Sequence, residues 1–314
     1  MNNVPDLQAG PINKVQFIST GTVKIRSAMK SQPISTLSVA IRRFRSFTDS
    51  TWSEPLPIGA FLIDHRDGPI LFDTGESTCC NDSGYMSVFN PTEWLTTVDI
   101  KHNEGIVEQL RALGTEPCTL QAIVLSHLHS DHVGGLKALV AEAPDVPIFV
   151  NQEHWDDVGD HQFFASLRGY SINNWPINFA PQLLKFEDVP LGPWKDSCKV
   201  TPDGSVVAVK TTGHVAGHIS LIVFEKDESQ KATTYVLTGD ATYALDLLDS
   251  EEPDGINDNP AAAFQSLQLI KRFAKEMEVV VLPSHDPKTS DLLKDRVIYK
   301  PKYSTPGDTR SYPS

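Results

Sequence analysis

The segment with the clearest chemical potential covers residues 123–135 and reads IVLSHLHSDHVGG. Three of the ten histidines of the chain and one aspartate fall within six of its residues. Imidazole nitrogens and carboxylate oxygens are ligands for zinc and similar divalent cations, and the spacing H-x-H-x-D-H allows one loop to address two metal ions. The alternative is a solvated polar loop that happens to contain histidines. The candidate ligands are His127, His129, Asp131 and His132.

One loop cannot complete the coordination of two metal ions, so further ligands must come from elsewhere in the chain. Three other apolar runs lead to a polar residue of a suitable type. TTGHVAGHISL contains His214, VLTGDATY contains Asp240, and VVVLPSHD contains His285. In each run the polar residue follows a predicted strand, as it does in the histidine cluster. We therefore expect these three residues to lie close to the cluster.

Short strands and amphipathic helices are the elements that would position these residues. Apolar runs bounded by turn signals predict strands, and apolar residues spaced by three and four predict helices. Two sheets, each covered by helices on its outer face, predict an α/β fold with four layers in the order αββα. The predicted strands cover 14–18 and 21–25, joined by a short turn, a hairpin of 59–65 and 70–75, and then 120–126, 147–151, 205–213, 218–224, 233–240 and 278–286; the predicted helices cover 104–114 and 261–277, and another starts after the histidine cluster.

Length and composition limit the possible partners of the chain. With 314 residues, 40% of them hydrophobic, we expect a single domain over 1–314 that could include an inserted lid. The net charge of −13 disfavours nucleic acid and anionic membrane surfaces as partners. No signal-peptide pattern and no bilayer-spanning apolar run is present. The four cysteines, Cys79, Cys80, Cys118 and Cys198, fit reduced thiols, so we expect a cytoplasmic protein.

Two long segments, 76–103 and 151–181, lack a regular pattern and are rich in aromatic residues. Such segments are usually lids or substrate loops, although the aromatic side chains could equally pack as core beneath a surface loop. The second segment contains His154 and His161, which are candidates for pocket residues because of their aromatic neighbours. Residues 287–314 predict a C-terminal tail that is loosely packed or forms a short edge element. The basic cluster RRFR at 42–45 could attract an anionic group or form a solvated strand edge, and we assign no role to it.

From ILFDTG, which starts at residue 70, to LPSHD, which ends at residue 286, the order of motifs resembles that of the metallo-β-lactamase superfamily. The resemblance implies the αββα sandwich of that family and a centre of two divalent metal ions. Zinc is favoured because His129 stands where di-iron members usually carry Glu. His218 is expected to be packed or hydrogen-bonded. The resemblance assigns His127, His129 and His214 to one metal ion, Asp131, His132 and His285 to the other, Asp240 to a bridge between them, and Asp73 to a position behind the site, where it could also simply cap its strand.

Within that family the chain resembles most closely the N-acyl homoserine lactonase group of quorum-quenching enzymes. The SHLHxDHxGG motif of the group is present at 126–135, and its D-A-x-Y motif is present at 240–243. In that group the tyrosine reaches towards the substrate carbonyl oxygen, which implies a catalytic role for Tyr243; alone, Tyr243 could be a packed aromatic residue. Antibiotic-destroying members tend to lack the bridging Asp, glyoxalase II-like thioesterases add a helical domain after the last histidine, and nuclease relatives need a basic surface.

The resemblance implies a metal-dependent hydrolase that opens a cyclic ester, such as an N-acyl homoserine lactone, by attack of a metal-bound hydroxide. Tyr243 would stabilise the oxyanion, and Asp131 would carry the proton to the leaving group. A GxSxG motif is absent from the chain, which fits direct attack by water. Hydrolysis of a lactam or of a cyclic carbamate, including benzo-fused rings, is an alternative for the same site. Thioester or phosphodiester hydrolysis is a further alternative, and the natural substrate, the metal and the oligomeric state stay open.

Overall fold

Two β-sheets packed face to face form the centre of the fold in a computed structural model, which describes residues 14–85, 92–159, 165, 168, 170–172, 175–187, 189–226 and 231–302. The strands of the first sheet are β1 (Lys14–Ile25), β2 (Leu56–Asp64), β3 (Ile70–Phe72), β4 (Thr96–Asp99), β5 (Ala122–Val124), β6 (Ile148–Asn151) and β7 (Gln182–Leu184). Their order is β4-β1-β2-β3-β5-β6-β7. The strands from β4 to β3 pair antiparallel, and those from β3 to β7 pair parallel.

The second sheet comes from the C-terminal part of the chain. Its strands are β8 (Ser197–Lys199), β9 (Val206–Lys210), β10 (Ile219–Lys226), β11 (Ala232–Leu237) and β12 (Val279–Leu282), in the order β12-β11-β10-β9-β8. β10 runs antiparallel to both neighbours, and β12 pairs parallel with β11. As a result β9, β11 and β12 all point the same way, and the residues that follow them leave the sheet at one edge.

The described helices are short except for one near the C-terminus. That helix, α9 (Pro260–Glu276), begins where Asn259 accepts a hydrogen bond from the Ala262 amide and Pro260 occupies the first turn, both common helix-start features. The helices are α1 (Ser27–Lys30), α2 (Val39–Thr48), α3 (Thr92–Leu95), α4 (Ile106–Ala112), α5 (Ser130–Val133), α6 (Leu136–Glu142), α7 (Gln152–Val158), α8 (Leu245–Ser250), α9 (Pro260–Glu276) and α10 (Thr289–Lys294).

Three hydrophobic clusters give the molecule its four layers. In β2, Phe61 faces the second sheet, whereas Leu62 packs with α4 and α6, so the strand is buried on both faces. This double burial explains why β2 reads as a continuous apolar run without polar alternation. On the other side, Leu267 and Phe273 of α9 cover the outer face of the second sheet. The order helix–sheet–sheet–helix confirms the predicted αββα fold.

Two sequence predictions about the ends of the chain are wrong. Residues 14–18 and 21–25 are not two strands with a turn between them but one strand, β1, with a register shift between Ser19 and Thr22. Both halves pair with β2, and Gly21 provides the left-handed backbone that the irregularity requires (φ 106°). At the other end, residues 289–294 form α10, which packs on β1 and β12 instead of forming a loose tail. Residues 303–314 of the predicted tail lie outside the described residues.

Candidate metal centre

The loops after five strands meet at one edge of the two sheets. β3 and β5 are parallel neighbours in the first sheet, and β9, β11 and β12 run in a common direction in the second. Polar side chains can therefore gather at this edge without interrupting the apolar strands. Asp73 follows β3, the histidine cluster follows β5, His214 follows β9, Asp240 follows β11, and His285 follows β12.

Three histidines direct ring nitrogens towards a common point. His127 Nε2 lies 2.9 Å from His129 Nδ1, and His129 Nδ1 lies 3.0 Å from His214 Nε2. The ring of His129 is almost perpendicular to those of the other two, at 86° and 89°. Imidazole nitrogens are good ligands for zinc and similar ions, so this set could hold one divalent cation.

A second set contains Asp131, His132 and His285, and Asp240 lies between the two sets. Asp240 Oδ1 is 3.0 Å from His132 Nε2 and 3.1 Å from His285 Nε2, whereas its Oδ2 is 3.4 Å from His214 Nε2. Asp131 Oδ2 lies 3.5 Å from His285 Nε2. His127, His132 and Asp240 form a third group. In each of the three groups, the candidate ligand atoms lie within 4.8 Å of one another. The structure thus brings together all seven residues that the sequence suggested as ligands.

The atoms behind the candidate ligands fix the direction of their rings. Asp73 Oδ2 lies 2.8 Å from His132 Nδ1, as expected for a residue behind the site, and Ser126 donates to Asp73 from its amide and its hydroxyl at 2.7 Å and 2.8 Å. His285 Nδ1 donates to the Pro57 carbonyl at 2.8 Å. Because one ring nitrogen is held in this way, the other nitrogen faces the site.

Two acidic residues near the site were missed by the sequence analysis. Asp254 Oδ2 lies 3.2 Å from His214 Nδ1, and Glu76 is fully buried beside the loop that carries Asp131. Both residues stand in segments, EEPDG and DTGES, whose acidic content is typical of surface loops. No spacing rule distinguishes them, and only their burial in the folded chain reveals them.

Burial and neighbouring charge divide the histidines into two classes. Burial lowers the pKa of His127 and His129 well below the ordinary value, and the nearby imidazoles lower it further, so both rings are neutral. Burial alone would lower the pKa of His132 as well, but the Asp240 and Asp73 carboxylates raise it well above that value. Burial also lowers the pKa of His214, but the carboxylates of Asp254 and Asp240 outweigh this effect and raise the pKa to about 9. The pocket of carboxylates thus attracts positive charge.

The unsatisfied atoms of the site fit a bound cation. Among the described residues, His132 Nε2 and Asp240 Oδ1 are buried without a hydrogen-bond partner of acceptable geometry, although the two atoms lie close together. Buried polar atoms are normally satisfied, and their desolvation otherwise costs about 1–3 kcal/mol each. Five imidazoles and two carboxylates that converge on one point are therefore a donor set suited to divalent metal ions of the zinc type.

Other histidines near the site have structural roles. His218 is buried and is hydrogen-bonded as predicted, since its Nε2 accepts from the Asp240 amide at 3.1 Å. His154 is not a pocket residue, because it is fully buried and both of its ring nitrogens bond to backbone. Its Nε2 accepts from the Leu128 amide at 3.1 Å, and its Nδ1 donates to the Ala216 carbonyl at 2.7 Å. His161 lies outside the described residues.

The two unpatterned segments contain more regular structure than the sequence suggested. The first includes α3 and β4, and the second begins with α7. Trp155 and Trp175 pack against each other, with ring centroids 5.9 Å apart, and both join the hydrophobic cluster on the first sheet. These two aromatic residues therefore belong to the core beneath a surface segment. Phe89, Phe163 and Phe164 lie outside the described residues.

A pocket opens beside the candidate ligands and has largely apolar walls. Tyr243 lies between the histidines and these walls; it is 5% exposed, and its ring centroid is 5.2 Å from that of His285. Glu76 and Arg168 are the charged lining residues outside the ligand set, and they belong to the two segments predicted to be substrate loops. The apolar walls come from Val23, Ile25, Met29, Leu56, Val98 and Ile256.

Burial raises the pKa of the Tyr243 hydroxyl well above its ordinary value, and the charges of Asp240 and Asp254 raise it further. The phenol therefore keeps its proton and remains a hydrogen-bond donor. This state is the one that stabilisation of an oxyanion would need.

The sequence profile of the Metallo-beta-lactamase superfamily matches residues 54–285, which is more than half of the chain. The chain belongs to the metallo-β-lactamase superfamily. Relatives with the name N-acyl homoserine lactonase align with this chain over more than three quarters of their own length. The AttM lactonase of Rhizobium radiobacter is 26% identical over 234 residues, which are 74% of this chain and 82% of the relative. The AiiA lactonase of Bacillus thuringiensis subsp. kurstaki is 28% identical over 233 residues, with the same coverage.

Solved structures of the superfamily confirm the fold. An N-acyl homoserine lactone hydrolase with the product N-hexanoyl-L-homoserine bound at its catalytic metal center aligns with a TM-score of 0.67. It is 24% identical, and the alignment covers 90% of this chain and 96% of that protein. AidC, a dizinc quorum-quenching lactonase, aligns with a TM-score of 0.59 at 14% identity and covers 95% of each chain.

These comparisons confirm the predicted metal-dependent hydrolase of the metallo-β-lactamase superfamily and the use of divalent metal. The metal-ligand assignment, the number and identity of the ions and the substrate stay predictions. Within the described part of the chain, no helix is both long and apolar enough to cross a membrane.

Proposed function

We propose that this protein is a di-zinc hydrolase that opens the ring of a lactone of the N-acyl homoserine lactone type. The observation that carries the proposal is the convergence of two ligand sets on a shared Asp240, at the floor of a pocket with apolar walls. The names of the relatives, N-acyl homoserine lactonases at 26–28% identity, support the substrate class. The net charge of −13 argues against polyanionic substrates.

The residues divide into two metal sites with a common ligand. Asp240 would be shared by both ions, since its carboxylate oxygens lie near histidines of both sets. When bound there, two divalent cations supply hydroxide at neutral pH and polarise the substrate carbonyl. His127, His129 and His214 would hold one ion, and Asp131, His132 and His285 would hold the other.

Two side chains of the pocket act on the substrate itself. Water adds its oxygen to the carbonyl carbon, the ring C–O bond breaks, and the products are one carboxylate, one hydroxyl group and one proton, which is released to solvent. Tyr243 donates a hydrogen bond from its hydroxyl group to the developing oxyanion. Asp131 is partly exposed to the pocket, and it passes the proton of the attacking water to the leaving alkoxide.

A substrate panel on zinc-loaded protein tests this proposal. The panel contains lactones with graded acyl chains, lactams, benzo-fused cyclic carbamates, a glutathione thioester and an activated phosphodiester. We expect the lactones to be hydrolysed with the highest kcat/KM, and His129→Ala and Asp240→Asn to abolish turnover while the exposed-residue control His102→Ala remains active. Turnover of the phosphodiester or thioester alone would replace the proposed substrate class, and full activity of either site variant would refute the ligand assignment.

One observation favours cyclic amides or carbamates as a second candidate. Glu76 is a buried carboxyl group in the wall of the same pocket, and its Oε1 accepts from the Tyr85 hydroxyl at 2.7 Å and the Ser77 amide at 2.8 Å. Burial raises the pKa of Glu76 to about 7. In its ionised form the carboxylate offers about four acceptor sites, so it can also accept the N–H of a lactam or carbamate ring. A lactone ring without an acylamino substituent has no such donor. Glu76→Leu should therefore lower kcat/KM for N–H rings more than for such unsubstituted lactones, whereas Glu76→Gln, which keeps an acceptor, should lower it less.

A further inference from the structure

We propose that Asp254 is a positioning residue for His214, and that the buried Arg42 holds Asp254 in place. Helix α2, which carries Arg42, precedes residues 54–285 that match the superfamily profile, so this support for the metal centre comes from outside the matched region. The inference rests on the proposed function, because it assumes that His214 binds a metal ion.

Asp254 is placed to orient the His214 ring. The Asp254 side chain is buried, and its Oδ2 lies 3.2 Å from His214 Nδ1. Among the described residues, no hydrogen bond of good geometry satisfies His214 Nδ1. The Asp254 carboxylate, at 3.2 Å, is therefore the partner available to this nitrogen. The opposite nitrogen, Nε2, lies 3.0 Å from His129 Nδ1 in the first ligand set. A carboxylate behind a metal-binding histidine fixes its tautomer and ring direction.

The Asp254 carboxylate is itself held by its own loop. Its Oδ1 accepts from the Ile256 amide at 3.0 Å, which leaves Oδ2 for the histidine. The Asp258 amide donates to the His214 carbonyl at 2.9 Å, so the same loop also fixes the histidine backbone. Small movements of this loop would therefore change the position of His214 Nε2.

Arg42 connects this loop to α2. The Arg42 side chain is completely buried, and it donates to the Pro253 and Asp254 carbonyls at 2.9 Å and 2.7 Å. It also donates to three carbonyls of the segment before α2, those of Gln32, Pro33 and Thr36, at 3.1 Å, 3.0 Å and 3.2 Å. Burying a guanidinium group is costly unless its N–H groups are hydrogen-bonded. The five carbonyl partners satisfy the two terminal nitrogens of Arg42, whereas its Nε is buried without a partner among the described residues. The partners join two segments that are about 210 residues apart in the chain.

Further contacts between the same two segments leave little freedom. The Gln32 amide donates to the Pro253 carbonyl at 3.1 Å, and the Gly255 amide donates to the Met29 carbonyl at 2.8 Å. A Cβ atom at Gly255 would lie 1.9 Å from the Ala28 carbonyl oxygen, so only glycine allows this close approach. The neighbouring arginine of the RRFR cluster differs, since Arg45 bonds to the Thr36 hydroxyl in an exposed position.

Metal affinity tests the role of Asp254 directly. Zinc release to a colorimetric chelator is measured for the wild type, for Asp254→Asn and for the control Asp249→Asn, whose carboxylate contacts Tyr299 and Lys302 outside the site. We expect Asp254→Asn to weaken one of the two ions about 10–100-fold and to leave the other unchanged. Asp254→Glu retains the charge and should bind that ion more tightly than Asp254→Asn. Cobalt substitution should show a changed absorption spectrum for the weakened site.

The outcomes separate this inference from the proposed function. A wild-type protein that binds fewer than two ions would contradict the proposed function itself. The wild type could bind two ions while Asp254→Asn binds both as tightly as the control Asp249→Asn does. This result would contradict only the positioning role.

The role of Arg42 is tested with Arg42→Lys, which keeps the charge but has fewer donors, and with Arg45→Lys as its matched control. Arg42→Lys should weaken the same ion as Asp254→Asn, and the double variant should be no weaker than Asp254→Asn alone. Additive losses in the double variant would contradict action through Asp254. An Arg42→Lys variant that does not fold would assign Arg42 to general stability and overturn this part of the inference.

Discussion

At Asp73 the backbone enters the left-handed region (φ 61°), which side chains other than those of Gly, Asn and Asp rarely adopt. This turn directs the carboxylate back towards the Ser126 amide and His132 Nδ1. One residue thus joins the ends of β3 and β5 and orients a candidate ligand. At this scale, residue type and backbone conformation together determine where the nitrogens of the site point.

Tyr243 tests whether the pocket stabilises an oxyanion. Because its hydroxyl stays protonated, Tyr243→Phe removes one donor and should lower kcat about 10²-fold or less, with little change in the volume of the side chain. The zinc content of the variant should remain that of the wild type. Initial rates and metal analysis on the same samples check both statements, and an unchanged kcat would leave Tyr243 as a packing residue.

His154 gives the stability of the fold a specific dependence on pH. Burial lowers the pKa of His154 to about 4, from an ordinary value of 6.5, so the folded state binds this proton less readily than the unfolded state. Stability from this group is therefore complete above pH 6.5 and is lost as the pH falls towards 4. Between pH 7.5 and pH 5 the loss should be roughly 2 kcal/mol.

Urea unfolding of the wild type and of His154→Gln at both pH values measures this contribution as a difference of differences. Gln can accept from the Leu128 amide and donate to the Ala216 carbonyl, as His154 does, but it does not titrate. Equal pH dependence in the two proteins would show that His154 is not responsible.

Residue spacing suggested the candidate ligands, and the family resemblance suggested Asp73 behind them, but neither pointed to Asp254 or Arg42. The cluster at 127–132 is visible because its members share one loop, and each of His214, Asp240 and His285 follows a recognisable apolar run. Asp254 and Arg42 come from segments without such a pattern, and they meet only through backbone carbonyls. Carbonyl groups are the same in every residue, so the sequence carries no signal for this contact.

At the scale of elements, α9 and the His214 loop pack more closely than any side chain would allow. Gly213 has φ 140°, and a Cβ atom there would lie 2.1 Å from the Ala263 amide nitrogen in the first turn of α9. The loop and the helix are also joined by the Asn259 amide, which donates to the Gly213 carbonyl at 2.9 Å. The position of α9 and the position of His214 therefore depend on each other.

Gly213→Ala should disturb both at once. The added methyl group must displace the start of α9, and the backbone conformation is unfavourable for alanine, so we expect a loss of roughly 2–4 kcal/mol in unfolding free energy and a weaker zinc site. Gly114→Ala is a suitable control, because Gly114 also has a positive φ but has no atom within 4 Å of the position that an added methyl group would take. Equal losses in the two variants would attribute the effect to backbone strain alone.

The sequence predicted most elements, and the exceptions have a physical reason. The apolar runs of β2, β5 and β12 are buried on both faces, which makes them easy to recognise. β1 appeared as two strands because Gly21 is a turn signal in the sequence, whereas in the structure it marks an irregularity inside one strand. The RRFR cluster is not a strand edge but part of α2, where Arg42 faces inward and Phe44 faces solvent. Ordinary amphipathic reasoning assigns these faces in reverse.

For the whole molecule, the proposed metal ions would connect both sheets. Their ligands follow β5 in the first sheet and β9, β11 and β12 in the second. A ligand that binds only the folded state stabilises it by about 4 kcal/mol at a free concentration 1,000 times its Kd. Removal of zinc with a chelator should therefore lower the Tm by roughly 6 °C for each ion lost.

Thermal unfolding in the presence and absence of chelator, with zinc added back, provides the measurement. The Asp240→Asn variant should have a low Tm under both conditions, because it lacks the carboxylate that is proposed to bind both ions. A wild-type Tm that does not change with chelator would mean that the cations add nothing to the connection between the sheets.

The position of His285 late in the chain has a consequence for synthesis on the ribosome. The histidine cluster after β5 is translated 158 residues before His285, which at 5–20 residues per second is an interval of roughly 10–30 s. During that interval a nascent chain can capture a cation only with an incomplete set of donors. Full occupancy of the metal sites would thus require a chain translated beyond His285. Products truncated before that residue would lack a complete metal site and would be more open to proteolysis.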